Sequence, residues 1–267
     1  KTHKRLIMNA PALVLAGFLG SAATALAQDA AEVRTPVDEA PADTVTGFVG
    51  LGFESQYVTS GAEAANESLQ PSAELQWRGF YAGVWANLPF DSENGAFTDE
   101  YDFYAGYARP LNDWIELAGG FTYYWYPEDG ATPNRTRELN LALGFDVLFE
   151  PAIEYNYDFD LEQHELILAG GYSYDLGEQT GLAGLTLELG GALGYLHADD
   201  PDSDQVPGES ADGYAYLEAT ADLVYTLNDT FSVSTGPRFA WNNNGEAGNI
   251  GGHDTHLWWG AGIVAEF

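Results

Sequence analysis

Residues 256–267, HLWWGAGIVAEF, constrain the fold more than any other stretch. Read two at a time, Leu257, Trp259, Ala261, Ile263, Ala265 and Phe267 make one apolar face, and Trp258, Gly260, Gly262, Val264 and Glu266 make a small, mixed one. That is the period of a strand, not of a helix. A strand this apolar on one face is an aggregation-prone edge unless another strand seals it. The pattern recurs. Leu139, Leu141, Leu143, Phe145 and Val147 alternate with Glu138, Asn140, Ala142, Gly144 and Asp146, and Leu69, Ala73, Leu75 and Trp77 alternate with Gln70, Ser72, Glu74 and Gln76. About twelve such segments are read near 46–58, 68–77, 80–89, 100–108, 114–126, 137–148, 151–159, 164–175, 184–196, 213–226, 230–241 and 256–267. Each is close to the ten or so residues a tilted strand needs to cross a bilayer.

A soluble sandwich alternates locally in the same way, so the connections decide. Arg78-Gly79, PLND, EP and LND are short; TSGAEAANES, PFDSENGAFTDE, PEDGATPNRT, ADDPDSDQVPGESADG and NNNGEAGNIGGHD are long and polar. Tight turns at one rim and long loops at the other define a transmembrane antiparallel up-and-down β-barrel, with short periplasmic turns and long extracellular loops. The scheme is weakest over 157–183, where ten or fourteen strands are the alternatives to twelve. Aromatics mark two belts: Trp77, Tyr107, Trp114, Phe231 and Phe267 toward the turns, and Tyr57, Trp125, Tyr195 and Trp241 toward the loops.

Residues 1–27 read as a signal peptide for export through the Sec pathway: Lys1, Lys4 and Arg5 precede an apolar run that ends on Ala25-Leu26-Ala27. Residues 28–44, rich in Ala, Pro and Asp, read as a flexible periplasmic leader, and 45–267 as the barrel. Residues 28–267 hold six arginines and no lysine against 41 acids. Such a chain is a poor partner for nucleic acid, whose phosphates need Lys and Arg. With no cysteine, stability rests on strand pairing and packing rather than disulfides.

Two short motifs resemble a known family. GFESQYVTSG (Gly52 to Gly61) and GFYAGVWANL (Gly79 to Leu88) resemble the TorF family of porins, in the Ser55, Tyr57, Val58, Gly61 set and in Gly79 to Trp85. The resemblance implies an outer-membrane barrel with a porin role. Where such porins show Phe-Arg-Gly after the Tyr-Val pair, this chain has Thr59, Ser60 and Gly61, so no arginine role is carried over. A C-terminal Phe like Phe267 belongs, in the proteins this end resembles, to the signal read by the barrel-assembly machinery.

Enzyme chemistry finds little footing. His164, His197, His253 and His256 are the histidines of residues 28–267, and no Ser lies within two positions of any of them, against the needs of a Ser-His hydrolase. Asp199, Asp200, His253 and Asp254 could pair across the rim as in a barrel protease, but acids are so common here that coincidence explains them. His253 and His256, three apart on a strand, fall on opposite faces, a poor chelate. The acidic loop Asp199–Asp204 lacks EF-hand spacing and reads as solvated rather than calcium-binding. No metal or cofactor is implied.

The expectation is therefore an outer-membrane channel of a Gram-negative bacterium, set in outer-membrane lipid, that passes small cationic or neutral solutes. The alternative is a closed barrel with a structural, adhesive or lipid-modifying role. Glu54, Asp102, Glu116, Asp158, Glu188 and Glu266 read as inward, with Glu74, Glu138, Asp146, Glu154, Glu218 and Asp222 at mid-lumen and Arg238 the single lumen cation. Tyr104, Tyr124 and Tyr216 also read as inward. Arginine is expected to be excluded at Leu141 and accepted at Asn140.

Overall fold

In a computed structural model of the chain, the described residues are 44–90, 99–127, 134–199, 213–243 and 254–267. The loop 199–212 therefore falls outside them except for Asp199, as do His253, residues 1–43 and the middle of the long loops.

Twelve strands close into one antiparallel barrel: β1 (Thr46–Glu54), β4 (Ser68–Trp77), β5 (Phe80–Pro89), β6 (Glu100–Asn112), β7 (Ile115–Trp125), β8 (Arg135–Phe145), β9 (Ala152–Asp158), β10 (Gln163–Asp175), β11 (Leu185–Ala198), β12 (Tyr214–Thr226), β13 (Phe231–Asn242) and β14 (Thr255–Glu266). Each pairs with its neighbours in sequence, and β1 pairs with both β4 and β14. The seal is complete to the last residue: Phe267 N–H donates to Gly47 O and Gly47 N–H to Phe267 O, both at 2.9 Å. Closure satisfies the backbone groups that an apolar solvent would leave orphaned.

The weak region resolves into twelve strands. Residues 159–162 form a tight turn at the loop rim, and 176–184 a longer connection at the turn rim that carries one short helix, α1 (Gly177–Thr180). The ladder is interrupted twice at prolines, which have no N–H to give. Pairing skips Pro71 between Leu69↔Leu88 and Ser72↔Trp85, and skips Pro237 between Thr220↔Arg238 and Leu223↔Thr235.

The faces follow the period-two reading. Val49, Leu51, Leu75, Phe103, Leu141, Leu193, Leu257 and Ile263 are exposed on the outside, while Gln70, Thr122, Asn140, Asn156, Glu218 and Arg238 are buried within. An apolar exterior around a polar interior is the inverse of a soluble protein and the arrangement of a barrel in lipid. Trp77, Tyr107, Trp114, Phe231 and Phe267 are exposed toward the turn rim, and Trp125, Tyr195 and Trp241 toward the loop rim. Arg78 lies over the Trp77 ring, 4.9 Å from its centroid.

Tyr57 is the exception to the belts, and it exposes the main correction to the sequence reading. The first strand stops at Glu54, not at 58. Residues 57–65 then form a separate hairpin, β2 (Tyr57–Thr59) and β3 (Ala62–Ala65), in which Tyr57 and Val58 are buried rather than facing lipid.

Candidate functional site: the barrel lumen

The β2–β3 hairpin folds back from the loop rim into the lumen. Its turn is Ser60-Gly61, with φ +48° and +75°, the positive pair that a two-residue hairpin turn of the primed kind requires. Gly61 has a second reason to be glycine: a Cβ there would lie 2.4 Å from Tyr216 Cβ. The tip reaches the opposite wall. Ser60 Oγ donates to Glu165 Oε1 (2.7 Å), Gly61 N–H to Glu218 Oε1 (2.7 Å), Asn242 Nδ2 to Gly61 O (2.7 Å) and Tyr214 OH to Ser60 O (2.9 Å). Behind the tip, Glu63 faces His256 Nδ1 at 3.6 Å and accepts from Gln56 Nε2 at 3.0 Å. Val58 packs with Ala240 and Trp258, and Tyr57, Ala64 and Ala65 pack with Trp85. One hairpin thus spans from β1 and β4, past β5, to β10, β12, β13 and β14.

The wall around it is polar and tightly packed. Asn140 is fully buried: its Oδ1 accepts from Thr122 (2.9 Å), and its Nδ2 donates to Glu138 (2.6 Å) and Asn156 (3.1 Å). Asn156 Nδ2 donates in turn to Glu165 Oε2 (3.1 Å), and Tyr124 OH to Glu138 (2.9 Å). A run of hydrogen bonds therefore links β7, β8, β9 and β10 across the interior. The expectation that Asn140 would accept arginine runs against its setting: the side chain is wholly buried and both ends of its amide are engaged.

The expected lumen residues divide by height. Glu138, Glu154 and Glu218 face inward in the middle and loop-side part of the barrel. Asp222 is wholly buried and bound by Arg238 Nη1 at 2.6 Å, and Arg238 Nε lies 3.6 Å from Glu54. Arg238 is the one inward-facing arginine among the described residues, as expected. Glu74 is inward but toward the turn rim, where Gln76 donates to it at 2.6 Å. Asp146 is not at mid-lumen: β8 ends at Phe145, and Asp146 lies in the turn, its N–H held by Trp114 O at 3.0 Å. Glu116, Glu188 and Glu266 are half-buried near the same rim. Tyr104, Tyr124 and Tyr216 do face inward.

Three luminal carboxylates escaped the sequence reading: Glu63 on the hairpin, Glu100 and Glu165, each buried. Glu165 sits in the register 163, 165, 167, 169 of β10, the inward set, so its position in the alternating run was the available signal. Of the histidines, His256 is luminal and buried. His164 and His197 face each other on adjacent strands at the outer surface, both near Asp199, at 3.3 and 3.5 Å. Among the described residues no group of His, Cys, Asp or Glu forms a metal cage.

Fold and lumen together define a transmembrane β-barrel with a polar interior and an inward-folded hairpin. The family model for bacterial proteins of unknown function named Gcw_chp matches residues 38–205, and the chain belongs to that family. No curated protein sequence matches it. Among solved structures it is similar to the NanC porin, with 13% identity over 83% of this chain and 98% of that one and a TM-score of 0.50. It is similar to the KdgM porin in complex with disordered oligogalacturonate (11%, 83% and 99%, TM-score 0.50). It is also similar to the COG4313 outer membrane channel from Pseudomonas putida F1 (12%, 88% and 100%, TM-score 0.50). At these identities the likeness is one of fold.

Proposed function

We propose that the chain is an outer-membrane channel for small cationic or neutral solutes, narrowed by the Ser55–Glu67 segment folded into its lumen. The carrying observation is the interior itself: carboxylates and amides line a closed barrel whose outside is apolar, an arrangement that gives a polar solute a path through lipid. The resemblance to TorF-family porins in the Tyr57–Gly61 and Gly79–Trp85 motifs supports the same reading, as does the fold shared with the porins above. Glu54, Glu138, Glu154, Glu165 and Glu218 against Arg238 make the path unfavourable for anions. The oligogalacturonate named with the KdgM porin, itself an anion, is therefore not the solute inferred here. Insertion by the barrel-assembly machinery through Phe267, and export by a signal peptide over 1–27, belong to this proposal.

A second reading has one observation in its favour. Asn140, Asn156, Glu154 and Thr122 are almost wholly buried, so the lumen at that level is filled, as in a barrel with a purely structural role. Planar-bilayer recording separates the two. The channel reading expects discrete conductance steps that grow more frequent when the hairpin tip is released; a released barrel that remains silent favours the structural reading.

A further inference from the structure

We infer that Glu165 and Glu218 form a binding site for a small organic ammonium ion, which the hairpin tip occupies at rest and which such a solute takes over when the lumen opens. This rests on the channel reading above and names the solute class.

Glu165 and Glu218, 5% and 2% exposed, lie on β10 and β12, either side of β11. Arg238 is engaged by Asp222 and Glu54, and every group that donates to these two carboxylates is neutral. Glu165 Oε1 accepts from Ser60 Oγ (2.7 Å) and Tyr216 OH (2.8 Å), and its Oε2 from Asn156 (3.1 Å). Glu218 Oε1 accepts from Gly61 N–H (2.7 Å), while its Oε2 is buried without a hydrogen-bond partner among the described residues. Two of these four donors belong to the tip, which supplies an O–H and an N–H where a cation would supply two N–H groups. A buried carboxylate oxygen left without a donor is costly, and a charged donor would answer it better than the tip does.

The surroundings select among cations. The rings of Tyr214 and Tyr216, centroids 6.4 Å apart, line the place the tip fills, and tyrosine faces attract ammonium groups. Calcium wants about six to eight oxygens, and the described residues gather no such cage. A neutral polyol gains nothing from paired charges. Carboxylates beside tyrosines suit an alkylammonium ion small enough to replace a Ser-Gly turn.

The test uses the full chain in detergent, with 1,4-diaminobutane as probe and 1,4-butanediol as its uncharged counterpart, followed by calorimetry. Gly61→Ala displaces the tip, and Asn242→Ala, which removes the bond to Gly61 O, does the same should the first fail to fold. Diamine binding is expected to tighten by about tenfold or more in the released protein, because the competing tip no longer holds the site. It is expected to vanish when Glu165→Gln and Glu218→Gln are added, with the diol bound by none. Diamine binding that survives the two glutamines, or equal binding of diol and diamine, overturns the site. Bilayer recording of Gly61→Ala keeps the two ideas apart: conductance without diamine binding sinks the ammonium site alone, and diamine binding without conductance sinks the channel reading alone.

Discussion

Adding one methyl group at Gly61 tests the latch with little else changed. A Cβ there lies 2.4 Å from Tyr216 Cβ, 3.2 Å from its Cγ and 3.3 Å from Trp241 O. Carbon atoms need roughly 3.5 Å, so the tip must retreat by about 1 Å. That retreat carries the 2.7 Å contacts of Gly61 N–H with Glu218 and of Asn242 with Gly61 O out of hydrogen-bond range. The first is a bond to a carboxylate, about 1.5–3 kcal/mol, and the second is neutral, about 0.5–1.5 kcal/mol. Holding Ala at φ +75° adds about 1–2 kcal/mol. Water recovers part of this once the tip is free, so the lower bound, about 3 kcal/mol, is the figure to expect, or roughly a hundredfold shift from latched toward withdrawn. The barrel ladder is untouched, and the chain has no cysteine. Val58→Cys therefore gives a clean reporter, because Val58 sits on the hairpin itself, packed against Ala240 and Trp258 at 2% exposure. Its labelling by a water-soluble thiol reagent is expected to accelerate about a hundredfold when Gly61→Ala is added, as for any locally opened segment. An unchanged rate would show that the tip bonds do not hold the hairpin.

Further substitutions probe the wall. Leu141, 44% exposed on the lipid face near the middle of β8, is expected to cost about 2–4 kcal/mol as arginine; Asn140→Arg is expected to be destabilising too, because it breaks the buried hydrogen bonds of Asn140, and urea titration in lipid vesicles measures both. Arg238→Met strands Asp222 and Glu54, and a loss of about 3–5 kcal/mol, typical of breaking a buried pair from one side, is expected in the same titration. Gly194→Ala places a Cβ about 2.0 Å from Tyr216 Cζ, whereas the nearest atom to a Cβ at Gly191 is 3.7 Å away. The first is expected to lower stability by about 1–3 kcal/mol and the second to be neutral, so equal midpoints would refute the packing of Tyr216 over Gly194.

The strands were legible because period-two alternation is a local property: Leu139 to Phe145 and Leu257 to Phe267 state their own faces. Closure followed from loop lengths, and twelve strands survived even where DFDLEQ and LGEQTGL left the count open. The hairpin was not legible. Ala62-Glu63-Ala64-Ala65 looks like any polar loop, and the partners that fix it, Glu165, Tyr214, Glu218 and Asn242, lie more than a hundred residues away. The signal present was the Ser60-Gly61 turn dipeptide between short runs, together with an apolar Tyr57-Val58 pair that has no place in a solvated loop. Asp146 misled because alternation carries on through Asp146 and Val147 after the ladder stops at Phe145. Asn140 misled because a polar residue at an inward position reads the same whether it meets water or a neighbouring amide.

The reversal potential of the Gly61→Ala barrel in a potassium chloride gradient tests the central claim most directly. Inward carboxylates outnumber Arg238, and low-dielectric walls focus their field. The expected result is a potential of the sign set by potassium, shrinking as higher salt screens the wall. A potential of the opposite sign, or one at zero in dilute salt, would contradict a cation-favouring lumen.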